Sequence, residues 1–506
     1  MDIEPMEVVA VAAGHVAAVF AGVRWLRVAQ REHYVPGSVT RFAVRWWGRG
    51  RNLVLLVVIV VTLPVTEAVP LLALVASAAL VVGPIGLSLR GRTSKLAWTR
   101  RLRTLAGVWV VLHVLVVVLA ALGAAVATGP VLAAAGAGVL IDLALFITAP
   151  LERRLVRPFV HRAAARLKQV GPTVVAITGS YGKTSTKVLV AHLLEATRSV
   201  LATPASFNNR AGLARAVNEH LTPGTEVFVA EMGTYGKGEI ADLCSWCPPD
   251  IAVITAIGPV HLERMRSEEA ILEAKAEILE RAGLAVLNVD HPLLERLARE
   301  RAEAGQRVVR CSAVSTDADV TLVAGELCAG GRPIGRVEDA DAASTNVACA
   351  AAVALELGVP PDVVAVRLAS LPTAEHRLSV ARGSSGAVVV DDTYNANPAG
   401  AARALATLAA QASPTGKRVV VTPGMVELGP RQFDENAAFA SAAAEAGSHL
   451  VVVGRSNRKS LLEGAKAGSA EVVVVDTRDQ AVAWVREHVG EGDAVLYEND
   501  LPDHFP

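Results

Sequence analysis

The stretch TVVAITGSYGKTSTKVLVAHLLEA, residues 173–196, decides how the chain is read. Six residues, most of them β-branched, run into a turn holding Gly179 and Gly182, and an Ala/Leu-rich segment of helical character follows. Strand, glycine turn, Lys-Thr and helix in that order make a phosphate cradle. Backbone N–H groups and a helix N-terminus face the anion, and the lysine neutralises it. The spacing departs from G-x-x-x-x-G-K-[ST], because Ile177 stands five positions before Gly182. The strand-to-helix context still predicts a nucleotide site formed by Gly179, Ser180, Gly182, Lys183, Thr184 and Ser185, with Lys183 at the β/γ-phosphates and Thr184 on Mg²⁺.

Outward from that stretch the alternation continues. TEVFVAEM, IAVITAI, LAVLNV, GAVVVDD, KRVVVTPG, HLVVVG, EVVVVD and DAVLYE are short β-branched runs between helical segments, which predicts mostly parallel sheets covered by helices on both faces. With TVVAIT these runs suffice for two α/β domains. We expect a phosphate-loop central domain over 172–370 and a smaller Rossmann-like domain over 371–506, meeting between Gly358 and Arg377. The Ala-rich segment 342–357 reads as packing.

Open α/β sheets place ligands at the C-terminal ends of their strands. Glu231 closes the run TEVFVAE and His261 follows IAVITAI, so both are candidate ligands of hard cations, Glu231 the more natural of the two. Lys275 lies in SEEAILEAKAEILE, where its i±3 and i±4 neighbours on a helix are Leu272, Ile271, Ile278 and Leu279. A lysine in an apolar stripe is either a snorkelling side chain whose stem covers the core or a buried amine held neutral. The neutral amine can add carbon dioxide and become an anionic carbamate.

The first 150 residues differ in kind. The chain has a mean hydropathy of +0.40 and 52% hydrophobic residues, and much of that excess sits here. Apolar stretches cover about 8–26, 53–69, 71–89, 105–127 and 131–150, against roughly 20 residues needed to cross a bilayer. The second and third are short enough to be one re-entrant hairpin. Lys and Arg cluster in alternate connections, seven over 24–51, six over 90–103 and six over 153–168. This pattern predicts five membrane spans, an outer N-terminus, a basic linker over 151–171, and cytoplasmic domains on a multi-pass plasma-membrane protein. Asp2, Glu4 and Glu7 precede the first stretch, the wrong charge for a cleavable signal peptide. Asp142, within the last stretch, is either functional or hydrogen-bonded to a neighbouring span, with His113 a candidate partner. The 49 basic and 49 acidic residues balance overall, but the region after residue 150 is net acidic and shows no nucleic-acid footprint. Five cysteines argue against a disulfide framework, and the lone pair Cys244/Cys247 reads as packing rather than a zinc site.

ITGSYGKTSTK, SFNNRAGL, EMGTYGKGEI, ITAIGPVHLERM, AKAEI, TNVACAAAVALELG, HRL, DDTYNANPAGA and PGMVELG occur in this order over about 171–430. Their order and spacing resemble the Mur ligases, ATP-dependent enzymes that build the peptidoglycan stem peptide. DDTYNANP and GMVELG are most similar to the members that add D-alanyl-D-alanine to a UDP-linked muramoyl tripeptide. The resemblance implies ATP and Mg²⁺, with Glu231 on a first metal ion and His261 with carbamylated Lys275 serving a second. It implies adenine near Asn346, Arg377 and Asp392 at phosphates and ribose, and Asn208, Asn209, Tyr394, Asn395 and Asn397 around the substrates. A carboxylate would attack the γ-phosphate, and an amino acid or dipeptide amine would open the resulting acyl phosphate.

Three features depart from the family. Cys349 stands where a second asparagine is usual, and the ending LYENDLPDHFP replaces a Gly/Ser/Arg-containing one. Membrane spans stand where the UDP-sugar-binding domain is expected, so the donor, a cell-wall precursor, is UDP-linked or lipid-linked. Two other readings remain: a poly-γ-glutamate-type polymer ligase, and a membrane P-loop ATPase or scaffold among other cell-wall enzymes. Retention of Lys183, Glu231, His261 and Lys275 favours an active ligase.

Overall fold

The computed structural model describes residues 5–89, 96–204, 207–260, 262–337, 344–372, 379–383, 385–393, 397–501 and 505. The chain divides into two compact units, Met1–Val156 with Leu501–Pro506, and Arg157–Asp500.

The first unit is helical: α1 (Pro5–Arg31), α2 (Ser38–Trp47), α3 (Gly50–Thr62) with a 3-10 turn at Leu63–Val65, α4 (Pro70–Val82), α5 (Arg100–Leu122), α6 (Thr128–Ala135) and α7 (Ala137–Val170), whose last part belongs to the second unit. Helix α1 packs on α4 and α6 through alanines that let the backbones approach, among them Ala10, Ala17, Ala73 and Ala134. Trp25, Phe42, Trp46, Leu105 and Ile141 form a second cluster, and the Phe505 ring meets Phe42 edge-on at 5.1 Å. Among the described residues, α1 and α5 are each long and apolar enough to cross a membrane. Two bent pairs, α2 with α3 and its turn (100°) and α6 with α7 (68°), raise the number to four at most. Of the five stretches expected, the one at α4 has 13 helical residues and at 1.5 Å per residue reaches about 20 Å of a roughly 30 Å core. Helix α7 also continues past Pro150, where the sequence pattern expects the last stretch to stop, and on through Pro158.

Asp142 does not pair with His113. Its carboxylate accepts the backbone N–H groups of Gly37 (2.9 Å), Val39 (3.4 Å) and Thr40 (2.6 Å) and so caps the start of α2. His113 instead meets His15, Nε2 to Nδ1 at 3.1 Å. Glu67 does for α6 what Asp142 does for α2, accepting from Val126, Ala127 and Thr128 N–H. Arg24 donates to the carbonyls of Leu80, Val81 and Gly83 at the end of α4. Ionisable groups in this apolar unit thus satisfy backbone groups at helix termini.

The second unit holds two sheets. The first runs in the order β2 (Val200–Ala202), β3 (Val227–Glu231), β1 (Thr173–Thr178), β4 (Ile251–Ile254), β5 (Leu284–Asn288), β6 (Arg307–Ser312), β7 (Val320–Val323), β8 (Glu326–Ala329), β9 (Arg332–Arg336). Pairing is parallel as far as β7 and antiparallel in the meander β7–β9. Strand β1 is apolar on both faces because both are covered, as parallel strands require. Its helices are α8 (Lys183–Leu194), α9 (Arg210–His220), α10 (Glu239–Trp246), α11 (Leu262–Met265), α12 (Glu268–Ala276), α13 (Pro292–Glu303), α14 (Ser344–Glu356) and α15 (Pro361–Leu368). Helix α14 lies against α8, with Ala348, Cys349, Ala350 and Ala351 fully buried.

The second sheet runs β10 (Ser379–Arg382), β11 (Val388–Asp392), β15 (Ala494–Glu498), β12 (Arg418–Thr422), β13 (His449–Val453), β14 (Glu471–Val475), parallel except for β10 at the edge. Helices α16 (Pro398–Gln411), α17 (Gln432–Ala446), α18 (Arg458–Ala465) and α19 (Arg478–His488) complete it. Six strands go unannounced in the sequence, β2, β6 to β9 and β10. Most are short or lie towards a sheet edge, and β6, inside the sheet, has its apolar run broken by Arg307 and Arg310.

Candidate active site

The loop after β1 leaves the centre of the first sheet, between β3 and β4. Gly182, in left-handed conformation at φ +81°, precedes α8, and no side chain caps the helix. The first-turn N–H groups are therefore available to an anion. Neighbours also dictate the two glycines. A Cβ at Gly179 would lie 2.0 Å from Thr255 Oγ1, and one at Gly182 would lie 2.4 Å from Asn346 Oδ1. Asn346, on α14, is thus placed directly against the loop. The Ser180 N–H donates to Ala256 O (2.7 Å), and its hydroxyl bonds both the carbonyl and the N–H of Gly258. Tyr181 donates to Ile257 O, and burial pushes its phenol up to about 12. Lys183 arches back to the carbonyls of Gly179 (2.7 Å) and Ser180 (3.3 Å), while Thr184 and Ser185 are half-buried on the first turn of α8.

Glu231 ends β3 opposite this loop and is 1% exposed. Its Oε2 accepts from Thr184 Oγ1 (3.0 Å) and Lys187 Nζ (3.1 Å), and its Oε1 from Asn208 Nδ2 (3.2 Å). The backbone N–H of Glu231 donates to Thr203 Oγ1. Hydroxyl and carboxylate oxygens are the donor set of a hard cation, so Thr184 and Glu231 fit Mg²⁺. Among the described residues no group of three His, Cys, Asp or Glu side chains is arranged to hold a metal ion. Lys187 is the partner that sequence reasoning missed. It is quoted in the motif but its contact, 44 positions away, exists only through the β1–β3 pairing.

Lys275 is buried near the end of α12, and its Nζ donates to Gly179 O at 3.0 Å, the same carbonyl that Lys183 reaches. Burial first, and then the charge of Lys183, holds the Lys275 amine well below the ordinary lysine range. The snorkelling alternative is excluded by that depth. The helix stops at Ala276 and a 3-10 turn carries Ile278 and Leu279, which are buried as the stripe expects.

Two of the expected substrate residues have structural duties. Asn209 caps α9 through Gly212 N–H, and Asn397 caps α16 through Gly400 N–H. Among the described residues of that group, Asn208 is the one at the Glu231 carboxylate. Asp392 ends β11 in register with Glu498, and its carbonyl accepts from Asn499 N–H. His261, Arg377, Tyr394 and Asn395 lie outside the described residues. The turn after β12 reaches the first sheet's helices. Gly429 abuts the Leu262–Glu263 backbone, and Arg431 donates to Glu268 at 2.8 Å on α12, the helix of Lys275. Cys244 and Cys247 are buried, Cys244 against Met232, and burial pushes Cys244 up to about 12 and Cys247 up as well, which disfavours metal-binding thiolates.

This geometry can be set beside known proteins. The Mur ligase middle domain model matches residues 177–327, and the model described as Mur ligase, glutamate ligase domain, matches 376–497. The UDP-N-acetylmuramoyl-tripeptide--D-alanyl-D-alanine ligase of Mycobacterium tuberculosis is 36% identical over 387 residues, covering 71% of each chain. The chain belongs to the Mur ligase family. As a Mur ligase it is an ATP-dependent enzyme that joins an acid to an amine. The enzyme of the same name from Bacillus subtilis is 32% identical over 277 residues, 53% of this chain and 59% of its own. Among solved structures, the MurF ligase of Thermotoga maritima in complex with ADP superimposes with a TM-score of 0.58 at 28% identity, over 68% of this chain and 80% of that one. MurF from Acinetobacter baumannii gives 0.59 at 26%, over 68% and 77%. The two α/β domains of this Mur ligase accordingly have the expected architecture.

Proposed function

We propose that the enzyme joins D-alanyl-D-alanine to the carboxylate of a muramoyl tripeptide in peptidoglycan precursor synthesis. The observation that carries the reading is the uncapped N-terminus of α8, whose first-turn Thr184 bonds the Glu231 carboxylate at the end of β3. ATP phosphates fit the loop, with Lys183 neutralising the β/γ-phosphates and Ser180, Gly182 and Ser185 lining them. Thr184 and Glu231 would hold Mg²⁺, whose charge offsets that accumulating on the transferred phosphoryl group. Asn346, already against Gly182, would border the adenine, and Arg377 and Asp392 would serve the nucleotide from the second domain. The donor carboxylate attacks the γ-phosphorus, ADP leaves, and the acceptor amine then displaces phosphate from the acyl carbon as it loses a proton. Asn208, Tyr394 and Asn395 would position these substrates, while Asn397 shapes the site by fixing the start of α16.

The neutral Lys275 amine suits carbamylation: nitrogen bonds to the carbon of CO₂, one proton leaves, and the product is anionic. With His261 it would serve a second metal ion. Lys275→Ala should then abolish ligation, with partial rescue by a small carboxylate; an unimpaired variant contradicts the carbamate. The apolar helical unit is proposed to anchor the enzyme in the plasma membrane with the ligase domains cytoplasmic, supported by the alternating basic connections and by α1 and α5.

The test is product formation by detergent-purified protein given D-alanyl-D-alanine and either the UDP-linked or a lipid-linked muramoyl tripeptide. Amide product with the UDP-linked donor, lost in Lys183→Ala, is expected. Product with the lipid-linked donor alone would assign the helical unit to donor capture, and none with either would refute the substrate.

A further inference from the structure

Lys187 belongs to none of the roles above. It lies one helical turn beyond Lys183 on α8, and its side chain and that of Glu231 are 4% and 2% exposed. An ammonium so deeply buried persists beside a carboxylate that balances it, and that carboxylate is the one proposed for Mg²⁺. Among the described residues three side-chain donors converge on it, Thr184 and Asn208 as neutral groups and Lys187 as a cation.

We infer that Lys187 makes the Glu231–Thr184 site select the metal–nucleotide complex over the free metal ion. The inference rests on the reading of Glu231 as the metal carboxylate. A divalent ion bound there alone shares one negative charge with an adjacent ammonium, and like charges at that separation repel strongly in a dry site. The phosphates of a nucleotide on the neighbouring loop bring the missing negative charge, which offsets both cations. Metal and nucleotide affinities are thereby coupled, and the coupling is reciprocal. Thr184 and Asn208 fix the carboxylate's direction without any charge, so the ammonium's separate contribution is electrostatic.

Mn²⁺ binding to the full-length protein, followed by electron paramagnetic resonance with and without a non-hydrolysable ATP analogue, tests this. Lys187→Met and Lys187→Gln are compared with wild type. Gln keeps an N–H for Glu231 but not the charge. Both variants should bind Mn²⁺ alone at least about tenfold more tightly than wild type, and the gain in Mn²⁺ affinity on adding the analogue should shrink by a similar factor. Lys187→Arg should behave like wild type. Tightening in Met but not in Gln, or no tightening in either folded variant, overturns the inference. Should Lys187→Met not fold, the Gln and Arg pair decides alone. Glu231→Gln serves as the separate control: if it retains wild-type Mn²⁺ binding, the reading of Glu231 fails instead.

Discussion

Gly182 shows how narrowly single residues are constrained at this site. Its φ of +81° is costly for any L side chain, and a Cβ would meet the Asn346 amide oxygen at 2.4 Å. Gly182→Ala should therefore weaken ATP binding by about tenfold or more, read by equilibrium titration; unchanged affinity would show that Asn346 is not held against the loop. Glu498 is a second such case. It is fully buried, accepts from the Thr422 hydroxyl, pairs in register with Asp392, and has one oxygen without a partner among the described residues. Burial, with Asp392 adding to it, lifts its carboxyl from 4.5 to about 8, against the opposing bond to Thr422. Between those values the folded chain keeps a proton that the unfolded chain has released. Stability therefore falls as pH rises through this window, by up to about 1.4 kcal/mol per unit, and levels off above it. Glu498→Gln should remove that slope and be the more stable protein at pH 8.5; parallel pH profiles would contradict the assignment. Residues of this kind differ in how far sequence exposes them. Lys275 was legible because its apolar neighbours are local, whereas Lys187 and Glu498 owe their surroundings to strands far away in the chain.

At the scale of elements, the phosphate-loop strand and helix, and the strands flanking them, were readable from apolar runs bounded by glycine. The meander β7–β9 was not, since its strands are four or five residues long and carry Glu, Arg and Pro. In the helical unit, length and hydropathy located the apolar stretches, but not their bends. Nor did they show contacts such as Asp142 with the start of α2, made across about a hundred residues. That contact supports a prediction of its own. Asp142→Ala leaves three N–H groups at the start of α2 without their carboxylate and should cost about 1–3 kcal/mol, seen as a lower unfolding temperature in detergent. Ligase activity per folded molecule should be retained. An unchanged unfolding temperature would mean that α2 does not depend on this cap, and lost activity in folded protein would revive the functional reading.

At the scale of the whole molecule, a helical unit and a ligase unit are each compact, and the two α/β sheets share the second. Family membership was readable because catalytic motifs lie at strand ends in fixed order. The membrane role was readable only as composition and charge, which is why it remains a proposal. A chain beginning at Arg157 should still bind ATP and stay in solution without detergent; failure to bind would show that the helical unit completes the nucleotide site.

The central claim is that the Lys183 loop and the Glu231 pair activate a carboxylate by phosphoryl transfer. A donor labelled with ¹⁸O in that carboxylate tests it directly, with the released phosphate examined by mass spectrometry after turnover with D-alanyl-D-alanine. One labelled oxygen per phosphate, absent in Lys183→Ala, is predicted, because the carboxylate oxygen leaves with phosphorus when the amine attacks. Unlabelled phosphate accompanying amide formation would contradict the acyl-phosphate route.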